Sequence, residues 1–302
     1  MVDHFMQFGY CVVKQAFTQE QAREVAGDVW IRLGMDPNDS STWDKERINM
    51  PTHRQFLLKD FSPKAYKVIC EMLGGEERIS DEHNTWNDAL IVNLGTPEYA
   101  KEETPHPREL DNWHCDGDFF RHFLDSPEQG LLCIPLFSNI QARGGGTMVA
   151  PDGIEHVARF LADNPAGVMG GKEGVVNFDF RNLINKCEVF HEMTGEIGDV
   201  VLIHPLMLHS ASHNNTRIPR IITNPPVSLK DPFNFNRPNP DDYSLVELKT
   251  LKALGATPEK GYDFAITQPR ERVVPERVKV QSMMKVQELE RLNKQREVAV
   301  EA

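Results

Sequence analysis

Gly198-Asp199-Val200-Val201-Leu202-Ile203-His204-Pro205-Leu206-Met207-Leu208-His209-Ser210 is the stretch whose reading decides the fold. Gly195 and Gly198 bracket a turn, and Asp199 leads out of it into four consecutive aliphatic residues. A short run that is apolar on both faces and bounded by turn residues reads as a buried strand. The strand is expected over Val200 to His204, with His209 at or just past its end. The loop from Ser210 to Thr216 then turns the chain into Arg220-Ile221-Ile222-Thr223.

The same texture recurs upstream. Ala89 to Leu94 reads as a compact strand ended by Gly95 and Pro97. Leu131 to Phe137 reads as another, in which Pro135 implies an edge position or a bulge. Gly144-Gly145-Gly146 is a tight turn into Thr147-Met148-Val149-Ala150, and Asp152 with Glu155 caps a helix to about Leu161. Short strands at close spacing, without alternating long helices, predict an antiparallel sandwich or jelly roll. On the N-terminal side a short helix or turn from Phe5 precedes a strand at Tyr10 to Val13. A capping box at Thr18 and Gln21 opens a helix whose positions Ala22, Val25, Ala26, Val29 and Leu33 keep helical spacing to Gly34. Asp36 to Asp44 is polar with no period. Ser62 and Pro63 start a second helix, which Gly74-Gly75 stops.

Beyond Ser228 the composition shifts. Asp231 to Asp242 is rich in Pro and Asn, and Ser244 with Glu247 caps a helix that stops at Gly255. From about Pro275 a charged helix carries a narrow apolar stripe at Val278, Val286, Leu289 and Leu292. It is expected to pack on its own domain in preference to a coiled coil. The division is therefore a domain over 1–228 and a C-terminal extension over 229–302, packed on the core or on a partner subunit.

With 302 residues, 40% apolar and 26% charged, the chain is long enough for a substantial core. The net charge of -12 argues against nucleic acid or an anionic membrane as partner. Five scattered cysteines without a C-x-x-C pair fit reduced thiols. No apolar run approaches the ~18 residues of a membrane span. With Asp3 and His4 near the start and no basic-then-apolar leader, a cytoplasmic protein is expected, a monomer or homodimer acting on a small molecule.

The chemistry gathers around Asn112-Trp113-His114-Cys115-Asp116-Gly117-Asp118-Phe119-Phe120. On an extended strand His114 and Asp116 leave the same face, offering two of the three ligands of a 2-His-1-carboxylate site for non-haem Fe(II). About one His-x-Asp is expected by chance in a chain of this length, so weight falls on a third ligand and a co-substrate anchor. His209 stands near a strand end, and Arg220 follows eleven residues later. His204 competes for the ligand role and reads better as a structural histidine; His213 reads as a loop residue. Arg217 competes with Arg220 but falls in the turn. Asp118 is too far along for the motif, and Cys115 reads as core. The triple glycine lacks the Lys-Ser/Thr of a phosphate loop.

Taken together, these segments resemble the phytanoyl-CoA dioxygenase family of Fe(II)- and 2-oxoglutarate-dependent oxygenases. The likeness rests on Trp113-His114-x-Asp116, on Gly145-Gly146-Thr147-x-x-x-Pro151-Asp152-Gly153, on the strand from Gly198 to Ser210 and on Arg220 at its offset. The opening Phe8-Gly9-Tyr10-x-Val12-Val13 is similar too, so the match covers roughly Phe5 to Ser228. The resemblance implies a mainly β fold with flanking helices and a double-stranded β-helix (jelly-roll, cupin-like) core. It implies His114, Asp116 and His209 as iron ligands and Arg220 as the partner of the distal carboxylate of 2-oxoglutarate. Thr147 would donate to the same carboxylate, and Asn112 would contact the co-substrate where relatives carry Gln. Three ligands on one face leave positions for a chelating 2-oxo acid and O2, and Arg supplies a fixed charge with forked donors.

The implied reaction couples conversion of 2-oxoglutarate to succinate and CO2 with oxidation of an unactivated C–H bond. Asp116 fills the position that chloride takes in related halogenases, which leaves hydroxylation, desaturation or oxidative ring closure. Phe119, Arg121 and His122 are the residues expected to meet the substrate. An acyl-CoA is discounted because the chain is acidic and the loop from Glu102 to Glu109 is mixed in charge. A small carboxylic or amino acid, or a secondary metabolite, is expected instead. Two rivals are a cupin-like metalloenzyme that does not use 2-oxoglutarate and a catalytically silent binding protein on the same scaffold.

Overall fold

The computed structural model describes residues 1–81, 84–170 and 174–301. Helix α1 (Val2–Phe8) buries Phe5 and ends at Gly9, whose φ of 73° is the left-handed turn that releases the chain into β1 (Tyr10–Val13). The capping box at Thr18 and Gln21 is present and starts α2 (Gln19–Ala26). The single helix expected to Gly34 is instead two, α2 and α3 (Val29–Leu33). Arg54 explains the break: it donates to the Glu24 and Val25 carbonyls and to the Asp28 carboxylate, capturing the end of α2. β2 (Arg47–Asn49), β3 (Gln55–Leu57) and the single-turn α4 (Leu58–Phe61) follow. Ser62 caps α5 (Pro63–Leu73), which Gly74 closes. Next come β4 (Thr85–Asn87) and β5 (Ile91–Asn93), the latter shorter than expected because Asn87 and Asp88 turn the chain ahead of it.

The second half alternates between two sheets. β6 (Leu131–Pro135) precedes β7 (Thr147–Ala150), α6 (Gly153–Ala162), α7 (Phe180–Asn185) and β8 (His191–Met193). Then come β9 (Val200–Ile203), β10 (Leu208–Ala211), β11 (Arg220–Ile222) and β12 (Pro226–Val227). One antiparallel sheet has the order β1-β9-β6-β12, and a second has β10-β7-β8. A third, β11-β5-β2, is tied to the first by a bridge between Leu136 and Ile222. Since β6, β9 and β11 lie on one side and β7, β8 and β10 on the other, the chain crosses between layers in jelly-roll fashion. The core is thus mainly β, in antiparallel sheets with flanking helices. β9 sits at its centre, with all four residues fully buried.

Three local expectations are corrected. His209 does not end the β9 strand; it lies within a separate strand, β10, opposite Val149 of β7. Pro135 is on an interior strand, where its missing N–H faces the gap between β11 and β12. The flanking donors, Cys133 N and Phe137 N, reach Pro225 O and Ile221 O on either side of that gap. Asp152 stands at the N-cap of α6 without bonding it and accepts instead from the Glu188 and Val189 amides.

The capping box of Ser244 and Glu247 starts α8 (Leu245–Leu254), and α9 (Arg277–Glu301) ends the described chain. No helix among the described residues is long and apolar enough to cross a membrane. α9 packs on α3, and of the expected stripe only Leu292 is half-buried, while Val278, Val286 and Leu289 are exposed. The buried contact is ionic. Glu288, 2% exposed, accepts from Arg32 Nε and His53 Nε2, both at 2.8 Å. Arg32, fully buried, also donates to Pro51 O and Asp88 O. Asp88 is a second carboxylate beside Arg32, at 3.4 Å, so removing Glu288 strips this buried charge of one of its two buried acidic partners. Glu288→Ala is expected to destabilise the fold by about 3 kcal/mol in urea titration, whereas Val286→Ala on the exposed stripe should change it by less than about 0.5 kcal/mol.

Candidate metal centre

His114 and His209 are brought together by the backbone. Each donates its amide to the other's carbonyl, His114 N to His209 O at 3.0 Å and His209 N to His114 O at 2.9 Å. Directly opposed residues of an antiparallel pair send their side chains to the same face, and the two rings lie 4.3 Å apart. Each ring is then oriented by its own chain. His114 Nδ1 donates to Asn112 O at 2.7 Å, and His209 Nδ1 donates to Met207 O at 3.0 Å. A proton held on Nδ1 makes Nε2 the nitrogen that a metal would take in exchange for its proton.

Asp116 completes the group. Its two oxygens lie 3.3 Å from His114 Nε2 and 3.6 Å from His209 Nε2. Across the three residues one donor atom each falls within 4.8 Å of the others. Burial opposes ionisation of Asp116, but the two imidazoles that face it, His209 first, outweigh burial and hold the carboxyl well below its usual range. Burial likewise opposes protonation of His114, and Asp116 outweighs it, raising that imidazole above its ordinary value. Once their Nε2 protons leave, two imidazoles and one carboxylate on one face are a donor set for a divalent first-row metal, Fe(II) among them.

Asn224, which the sequence reading did not single out, donates Nδ2 to Asp116 Oδ2 at 3.1 Å. A period-two count onward from Arg220 through Ile222 would have put it on the same face.

Arg220 lies on β11, only 2% exposed, with Nε bonded to Gly145 O and Nη1 to Ile91 O. Among the described residues no carboxylate pairs with it. Burial, and then the charge of Arg47, pull its guanidinium down to about 9. Arg47 is a second addition. Asn93 of β5 pairs with Arg220 on one side and Arg47 on the other, so all three side chains leave the same face. The Arg47 charge also opposes protonation of His114, which places it within electrostatic reach of both ends of the site. Nothing in the sequence around Arg47 marks it, because β2 has no periodic pattern.

Thr147 shares a face with His209, since Ala211 and His209 on β10 oppose Thr147 and Val149 on β7. Its hydroxyl has no partner among the described residues. Asn112 contributes its backbone carbonyl to His114, and its side chain makes no hydrogen bond among the described residues.

The three residues expected at the substrate divide. His122 turns Nε2 to Gly117 O at 2.8 Å, and burial pulls its pKa to about 4. Arg121 is committed elsewhere, to Glu271 at 2.8 Å and Ala166 O at 3.0 Å. Phe119 is half-buried, and its carbonyl accepts from Val273 N. Those contacts belong to a strap from the C-terminal extension, which Arg270 fastens to Asp125 and Arg277 fastens to Asp118 through two hydrogen bonds. His204 is fully used by structure, with Nε2 against Thr250 Oγ1 and Nδ1 accepting from Leu206 N. His213 stacks on Tyr99, and Arg217 lies over Trp43.

No family model matches the chain, and no curated protein matches it in sequence. Among solved structures it is similar to the non-heme alpha ketoglutarate dependent epimerase SnoN from nogalamycin biosynthesis, in complex with Fe3+, alpha ketoglutarate and nogalamycin RO. That match has 14% identity over 91% of this chain and 95% of that one, with a TM-score of 0.42. It is also similar to the non-heme monooxygenase ThoJ in a Ni complex (12% identity, 97% of each chain, TM-score 0.40). A third is AviO1 from Streptomyces viridochromogenes Tue57 (12% identity, 77% of this chain and 95% of that one, TM-score 0.44). Likenesses this distant say nothing about the site or the reaction of this chain.

The Asn224 contact generates a measurable expectation. Loss of a hydrogen bond that orients a metal ligand typically lowers affinity about 10- to 100-fold, so Asn224→Ala should weaken Fe(II) or Zn(II) binding by that factor in anaerobic calorimetry. Because His114 is raised above its ordinary value, protons compete with the metal there. Binding is expected to weaken as pH falls through that raised value, with proton release on metal addition as its signature.

Proposed function

We propose that the chain is a non-haem Fe(II)- and 2-oxoglutarate-dependent oxygenase that oxidises a C–H bond of a small molecule by hydroxylation, desaturation or oxidative cyclisation. His114, Asp116 and His209 fit the metal, because both imidazoles have their Nδ1 protons committed to backbone carbonyls and direct Nε2 at the same carboxylate. With 2-oxoglutarate and O2, Fe(II) bound there supplies the oxidant for the C–H bond. The rest of the work falls to the chain: holding the co-substrate, placing the substrate and keeping water out.

The observation that carries the reading is the pair of arginines. Arg220 is a buried guanidinium without an acidic partner, bonded only to carbonyls, and such a group is a site for an anion that the protein itself does not provide. Arg47 stands in register with it across Asn93, on the side that senses His114. 2-Oxoglutarate is a dicarboxylate. Arg220, with the Thr147 hydroxyl, suits the carboxylate remote from the metal, and Arg47 suits the one beside it. Asn112 lies next to the same ligands and is retained as a co-substrate contact. The sequence resemblance to the phytanoyl-CoA dioxygenase family supports the same assignment. The substrate remains a small carboxylic or amino acid or a secondary metabolite at this level of description.

Anaerobic titration with Fe(II) and 2-oxoglutarate tests the reading. A visible metal-to-ligand charge-transfer band is expected in the wild type. In Arg220→Met the metal should still bind while 2-oxoglutarate affinity falls at least about 100-fold, the usual cost of stranding a charge-assisted pair. A wild type that binds Fe(II) but forms no band, or Arg220→Met with full oxygenase activity, would favour a cupin-like enzyme without 2-oxoglutarate. Absence of metal binding altogether would favour a silent binding protein.

A further inference from the structure

A small cavity opens beside Asp116 and is walled by Phe120, Phe123, Leu206 and Phe233. Gln129 also lines it, from the buried segment that leads into β6, and is only 4% exposed. Its Oε1 is buried without a hydrogen-bond partner among the described residues. A buried amide oxygen left unpaired is costly, and native proteins rarely keep one unless something else satisfies it. Here the unpaired oxygen shares its cavity with a carboxylate of the candidate metal centre.

The charges around the cavity narrow what could satisfy it. No Lys or Arg side chain lines the cavity among the described residues. Arg121, the nearest arginine in sequence, is turned away to Glu271 and Ala166 O. His122 does line it, with Nε2 directed at the Gly117 carbonyl. The strap holds this arrangement from behind: Phe120 bridges to Arg272, and Arg270 sits over the Phe123 ring at 5.3 Å.

We propose that Gln129 is the residue that selects and orients the substrate, and that the substrate is a largely apolar molecule that brings a hydroxyl to this amide, in preference to one that brings a carboxylate. The proposal rests on the reading of His114, Asp116 and His209 as the reacting centre and narrows its substrate class. A hydroxyl can donate to Oε1 and accept from Nε2, so it satisfies both halves of the amide at once. A carboxylate can only accept. It would leave Oε1 unpaired. The apolar walls then hold the body of the molecule, and the amide fixes which of its C–H bonds faces the metal ligands.

The test uses four matched probes, cyclohexylmethanol, cyclohexanecarboxylate, methylcyclohexane and cyclohexylmethylamine, titrated against the full chain loaded with Fe(II) and 2-oxoglutarate under anaerobic conditions. Dissociation constants come from ligand-observed NMR. In the wild type the alcohol should bind most tightly, and in Gln129→Leu its affinity should fall about five- to tenfold, the ordinary worth of such a hydrogen bond. Methylcyclohexane should bind the leucine variant at least as well as the wild type, which shows that the cavity is intact. Gln129→Glu should gain affinity for the amine, a change that misfolding could not produce. The proposal is overturned if the carboxylate binds the wild type as tightly as the alcohol, if the alcohol does not bind, if Gln129→Leu keeps full alcohol affinity, or if Gln129→Glu gains nothing for the amine. The charge-transfer band separates the two readings: its absence with the alcohol preference intact removes the oxygenase reading and leaves the recognition by Gln129 standing.

Discussion

Two reciprocal backbone hydrogen bonds between His114 and His209 hold the site together. They join a loop-borne residue to the middle of β10 and fix the two side chains on one face. Everything else at the centre depends on that pairing. The Nδ1 bonds to Asn112 O and Met207 O set the tautomers only because the rings already face each other, and Asp116 meets both Nε2 atoms because it leaves the chain two residues after His114. A one-residue slip of this pairing would send one imidazole to the opposite face and dissolve the cluster. The geometry is therefore written in sheet register before any side-chain interaction contributes.

The same economy governs the end that carries Arg220. β11-β5-β2 aligns Arg220, Asn93 and Arg47 across three strands. Asn93 ties this sheet to the loop after β10, donating to Ser212 O, while Asn214 donates back to Asn93 O. Arg220 reaches across to Gly145 in the turn before Thr147. Those bonds fasten the sheet that carries the arginines to the sheet that carries His209. The C-terminal extension fastens the remaining side, with its strap across the segment from Asp118 to Asp125 and its helix held to α3 by Glu288 and Arg32.

Much of this was legible in the sequence where local chemistry dictates local structure. The capping boxes at Thr18 and Ser244, the proline start of α5 and the apolar run of β9 all lie where their residues require. His114, Asp116 and His209 stood out as metal-ligating residue types in readable segments, and the family resemblance added Arg220 and Thr147. What stayed hidden depends on tertiary pairing. β2 is Arg-Ile-Asn, with a single apolar residue, and becomes a strand only because β5 offers it an edge, so Arg47 could not be seen. Gln129 is conspicuous only once its amide oxygen is known to be buried and unpaired. The apolar stripe of α9 misled for the converse reason: the face that meets the domain carries the buried Glu288, paired with Arg32, and Met284 beside the core, while most of the stripe stays exposed.

The central claim is that two imidazoles, each with its proton pinned on Nδ1, present Nε2 to one metal together with Asp116. Imidazole-selective nitrogen NMR of the protein labelled at histidine, recorded before and after Zn(II) addition, tests it most directly. His114 and His209 should show coordination through Nε2 with the Nδ1 protons retained, while His204 and His213 stay unshifted. Coordination through Nδ1, or a shift at His204 in place of His209, would contradict the account.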